Sequence, residues 1–106
     1  DALKRRCLYT WIGFPDPDRE IDIVRSRLPG VSESLTAQVV AVVNHLRDMD
    51  LEKLPGVAET IDWAQGLNAV GATHLDEQSA LETLGTVVKD RDDLEYTSRS
   101  IQDVLA

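Results

Sequence analysis

The chain has 106 residues, 42% of them hydrophobic and 5% aromatic, which describes one domain whose small core is filled by aliphatic side chains. Asp and Glu number 19 against 11 Lys and Arg, a net charge of −8. Sequence-independent nucleic-acid binding needs a cationic surface that displaces counterions, so nucleic acid and anionic membrane are set aside as direct partners.

In chain order, the cations Lys4-Arg5-Arg6 run into strand formers, Tyr9, Thr10, Trp11, Ile12 and Phe14. They predict a short strand over Cys7 to Phe14. Pro15 then removes a donor and restricts Phe14. Asp16-Pro17 is an N-cap with proline at the first helical position, and Asp18 and Glu20 put negative charge in the first turn. Ile21, Val24 and Leu28 follow at helical spacing, and Pro29-Gly30 stops the helix. Ser32 or Ser34 caps a second helix. Its apolar side is Leu35, Val39, Val42, Leu46 and Met49, widened by Val40 and Val43, so it is expected at the centre. It ends near Asp50. A connector, Leu51 to Pro55, leads to the turn Pro55-Gly56.

A third helix is predicted over Val57 to Val70, with Ile61, Ala64, Leu67 and Val70 inward, weakened by Gly66 and ended by Gly71. Asp76 caps a fourth, which carries Ala80, Leu81, Leu84 and Val88, with Lys89 in its last turn. Asp90 or Asp92 starts a fifth along Leu94, Ile101 and Leu105. The expected fold is all-α, a small bundle of about four to five helices preceded by one short N-terminal strand or extended segment. That strand has no partner, because nothing else in the chain reads as one. A lone strand leaves its N–H and C=O groups unpaired, so the chain is expected to be a piece of a larger protein.

Few motifs carry chemistry. No G-x-x-x-x-G-K-[ST] or G-x-G-x-x-G occurs, and the six glycines stand apart. His45 and His74 are far apart with no Cys or H-E-x-x-H partner, so no metal site is expected. Cys7 is read as a small packing residue. One Cys rules out an internal disulfide and fits a reducing compartment. No apolar run is long enough to cross a bilayer and no signal-peptide pattern is present, so a cytoplasmic location is expected. Acidic pairs such as Asp92-Asp93 and Asp48/Asp50 read as solvated helix ends, and Trp63 as core or boundary packing. Lys4-Arg5-Arg6 stands out, because a guanidinium is always charged and holds two phosphate oxygens at once.

The run Ala2-Leu3-Lys4-Arg5-Arg6-Cys7-Leu8-Tyr9, then Trp11-Ile12-Gly13-Phe14-Pro15-Asp16, resembles MoxR-type AAA+ ATPases, most of all the branch with the carbon monoxide dehydrogenase accessory ATPase. Ile23-Val24-Arg25, Pro55-Gly56-Val57-Ala58-Glu59-Thr60-Ile61-Asp62-Trp63-Ala64 and Leu81-Glu82-Thr83-Leu84-Gly85 continue the likeness in the same order.

The resemblance implies that residues 1–15 are the truncated last strand of the ATPase core and residues 16–106 its C-terminal helical lid, with Pro15-Asp16 the hinge that joins them. The phosphate loop, and with it ATP and Mg²⁺, would belong to an upstream core, and this piece alone would hold no cofactor and catalyse nothing. Arg5 matches the family's Leu-x-Arg arginine finger, with Arg6 the second candidate. The finger works in trans on the neighbouring subunit's γ-phosphate, which implies a homo-oligomer, a hexameric ring. The implied task is chaperone-like remodelling or metal-cofactor maturation of a target metalloenzyme, together with a von Willebrand A-type protein. The cis sensor arginine of such lids is missing, since no Lys or Arg occurs between Lys53 and Lys89. Glu59 and Thr60 occupy that sensor-2-like, cofactor-binding position. The alternative reading is a free-standing acidic helical protein-interaction module.

Overall fold

The computed structural model describes residues 13–105, and these form an all-α bundle with no strand among them. The predicted strand falls mostly on residues 7–12, outside the described residues.

Helix α1 (Pro17–Arg27) starts where expected: the Asp16 carboxylate accepts the Arg19 N–H at 2.9 Å. It stops at Leu28, whose N–H bonds to Val24 O, because Pro29 has no N–H with which to continue. Of the two possible caps for α2 (Glu33–Arg47), Ser32 is the one used, its Oγ accepting the Leu35 N–H at 3.1 Å. Helix α2 buries Leu35, Val39, Val40, Val42, Val43 and Leu46. Each contributes about 1.5–3 kcal/mol on leaving water. It is the central element, packed against α1, α3 and α6. Helix α3 is Val57–Ala69, and Trp63, Ala64 and Leu67 on it are fully buried.

Val70 is a correction to the expected inward line. It is 69% exposed, because the helix has ended at Ala69 and Gly71, at φ +82°, turns the chain away. Helix α4 (Glu77–Thr83), capped by Asp76, is also shorter than its periodicity suggests. It passes into a 3₁₀ turn over Leu84–Thr86. The Thr83 hydroxyl donates back to Ser79 O at 2.6 Å, a bond that bends helices, and Gly85 follows as a poor helix former. Leu84 and Val88 stay buried, but Leu81 is 42% exposed rather than inward.

The predicted fifth helix is two: α5 (Arg91–Arg99), capped by Asp90, and α6 (Ile101–Leu105). Ser100, at φ −104° and ψ 15°, breaks the run. The break lets α6 turn onto α2 and α4 and bury Ile101 and Val104. Leu94 and Leu105 pack half-buried on the same single core. At its centre the Trp63 indole N–H donates to Thr83 Oγ1 at 2.7 Å, so the one polar atom of that ring is satisfied.

Candidate functional site

Glu20 reads from sequence as a first-turn charge serving the helix dipole. The fold buries it completely. It lies one helical turn before Val24, and both face the core. Opposite stands Arg47 in the last turn of α2, its side chain also fully buried. The two form a bidentate pair, Nη1 to Oε1 at 2.7 Å and Nη2 to Oε2 at 2.9 Å.

Neighbouring groups complete the cluster. Arg47 Nε donates to Pro55 O at 2.8 Å. Thr60 Oγ1 lies 2.8 Å from Glu20 Oε2 and 3.1 Å from Gly56 O, so its single proton is shared between two acceptors. Asn44 Nδ2 donates to Glu20 Oε1 at 3.3 Å and to Val40 O at 2.8 Å. The Phe14 ring centre sits 4.3 Å from the guanidinium carbon of Arg47, within range of a cation–π contact. Buried charges persist only when paired and hydrogen-bonded, and here both are. The carboxylate is spent on internal donors, so it is no free general base. What the arrangement does is mechanical: it binds α1, α2, α3 and the connector before α3 into one body.

A second buried carboxylate holds the same connector from the other side. Asp93, 4% exposed, accepts the N–H groups of Glu52 at 2.8 Å and Lys53 at 2.9 Å. The sequence expectation of a solvated Asp92-Asp93 pair therefore holds for Asp92 alone, which is exposed. Asp93 sits one residue further round α5 and points inward.

The sequence-derived site residues are distributed as follows. Arg5 and Arg6, with Lys4 and Cys7, lie outside the described residues. Thr60 is fully buried, with its hydroxyl inside the Glu20 cluster. Glu59 is half-buried, and its Oε1 accepts the Gly56 N–H at 2.9 Å, closing the first turn of α3. Trp63 is core, as expected. Sequence reasoning missed Glu20, Arg47, Asn44 and Phe14 as one constellation. A signal did exist: each helix carries a single charge of opposite sign within its apolar line, Glu20 ahead of Val24 and Arg47 after Val40 and Val43.

At the surface, the Asp76 carboxyl is held below the usual aspartate range, chiefly by the Ser79 N–H, then by the Ser79 hydroxyl and the His74 charge. His74 Nε2 lies 3.9 Å from its Oδ2. Among the described residues no three His, Cys, Asp or Glu side chains converge as a metal site, and no helix is long and apolar enough to cross a membrane. Set beside known proteins, the chain matches no family model, no curated protein and no solved structure.

Proposed function

We propose that these residues serve as the helical lid of a MoxR-type AAA+ ATPase working in the cytoplasm. The core that binds ATP and Mg²⁺ precedes them, and the subunits form a homo-oligomeric, hexameric ring. Arg5, with Arg6 as second candidate, reaches the γ-phosphate bound by the next subunit. There a guanidinium offsets the charge of phosphoryl transfer, an effect worth about 10³–10⁵ in rate in GTPases. The assembly acts with a von Willebrand A-type protein to remodel, or to mature the metal cofactor of, a target enzyme.

The observation that carries the reading is the Ala2 to Asp16 block standing directly before a helical unit tied together by Glu20 and Arg47. A lid must move as a body to turn nucleotide state into subunit geometry, and a buried bidentate pair that spans its helices supports that. In this reading no Lys or Arg of residues 54–88 meets the nucleotide, since none exists there. The positive charge at the phosphates comes from the core and from the neighbour's Arg5. Glu59 and Thr60 occupy the sensor position as organisers of the α3 N-terminus.

The test is Arg5→Ala in the full-length ATPase. ATP turnover falls about 10³-fold or more with ATP affinity largely kept, and mixing with a phosphate-loop variant partly restores it. Unchanged turnover removes Arg5 from the finger role. A native reading frame with no phosphate loop ahead of Asp1 overturns the lid reading and leaves the acidic interaction module.

A further inference from the structure

We propose that the outer face of α4, with Val70 beside it, is a docking surface for a cationic amphipathic helix of another protein. A single exposed aliphatic side chain is ordinary on a protein surface and needs no explanation. Here two of them share one rim. Glu77, Gln78, Leu81 and Glu82 stand at i, i+1, i+4 and i+5 on α4, and all are exposed. The opposite side of the helix is spent on the core, through the buried Ala80.

The exposed face is a ridge between two depressions. On one flank, Val70, His74, Asp76, Gln78 and Glu82 line a depression of about 300 Å³. On the other, Glu77 and Leu81 line one of about 360 Å³ with Ser98, Arg99 and Asp103 at the α5–α6 joint. A helix laid across the ridge meets Leu81 on one flank and Val70 on the other. This is the groove geometry that amphipathic helices use, with apolar anchors one turn apart.

Charge selects the occupant. The carboxylates Asp76, Glu77, Glu82 and Asp103 surround the two aliphatic side chains. Glu82 is held in place by the Gln78 amide, whose nitrogen donates to its Oε1 at 3.2 Å. Arg99, the one Lys or Arg among the described residues lining the depressions, is already bonded to Glu95 at 3.2 Å. A second copy of the chain, at −8, brings negative charge to a negative face, as do nucleic acid and an anionic membrane. A helix with Lys or Arg flanking its aliphatic anchors is complementary on both counts. The surface stands without the ATPase reading, since it rests on α4 and its neighbours alone.

The experiment is an NMR titration of the 106-residue chain. The probes are a Leu-Lys helical peptide of about 14 residues, about four turns, and its Leu-Glu counterpart. The Leu-Lys peptide should shift the amides of Val70, Gln78, Leu81 and Glu82 to saturation, and the Leu-Glu peptide should leave them in place. Val70→Ser with Leu81→Ser should weaken binding about tenfold or more, the size of one buried aliphatic side chain. Glu77→Gln with Glu82→Gln should weaken it about threefold and flatten its salt dependence. All four positions are exposed, so the fold survives these changes. Three results overturn the proposal: no saturable shift on α4, equal binding of the Leu-Glu peptide, or unchanged affinity in the double serine variant, which would mean attraction to acidic surface in general. Dimerisation of the chain that the double serine variant abolishes gives the face to a second copy and also overturns it.

Discussion

Asp93 reaches 41 residues back along the chain to accept the Glu52 N–H at 2.8 Å. Its other oxygen takes the next N–H, that of Lys53, at 2.9 Å. One carboxylate on α5 thereby serves as a cap for a connector that has no regular structure of its own. Asp93→Ala removes an acceptor from both N–H groups, so it should cost about 2–3 kcal/mol. Urea unfolding monitored by Trp fluorescence reads this directly. A loss under about 0.5 kcal/mol, the size of an ordinary surface change, would show that the connector is held by other means.

The Glu20–Arg47 pair should respond asymmetrically. Removing one partner leaves an uncompensated buried charge, so Glu20→Leu or Arg47→Met alone should destabilise by about 3–5 kcal/mol. The double replacement removes both charges and should cost far less than the sum of the two. A double-mutant cycle by denaturant melts decides it. Additive losses would mean that the two groups do not stabilise one another.

Thr97 is fully buried, and its hydroxyl oxygen has no hydrogen-bond partner among the described residues. A buried polar atom without a partner costs free energy that an isosteric methyl does not. Thr97→Val should therefore stabilise the chain by about 1 kcal/mol, which raises Tm by about 4–8 °C for a domain of this size. Calorimetry on the variant tests it, and a lowered Tm would show that the hydroxyl is bonded in solution.

Asp76 gives the chain a pH-dependent helix cap. Its folded-state pKa is depressed because its ionised form accepts the Ser79 N–H and hydroxyl. The stability it contributes is therefore full above the ordinary aspartate pKa and is lost as pH falls through the lower, folded-state value. Asp76→Asn keeps a capping side chain but cannot ionise. It should flatten this part of the acid limb of the stability curve and leave neutral-pH stability nearly unchanged. A carboxyl titration by NMR at or above the ordinary aspartate midpoint would contradict the contact.

The helix starts were readable because capping is local chemistry: Asp16, Ser32, Asp76 and Asp90 each bond an N–H three residues on. The helix ends were harder. Val70 and Leu81 fit the apolar spacing, yet one lies past the last helical residue and the other on a solvent face. The split at Ser100 left no mark in the periodicity, since Leu94, Ile101 and Leu105 read as one line across it. A break there is decided by where α6 finds a surface to bury Ile101 and Val104.

By itself the sequence determined that residues 13–105 are helical, that α2 lies at their centre and, to within two residues, where every helix but α6 begins, because spacing and capping act over three or four residues. Only the tertiary structure decided what the charges do. Glu20 and Arg47 stand 27 residues apart, Asp93 and Glu52 stand 41 apart, and a carboxylate on a helix looks the same in sequence whether it meets water or a guanidinium. Its environment is set by which helices pack together, and that is a property of the whole fold.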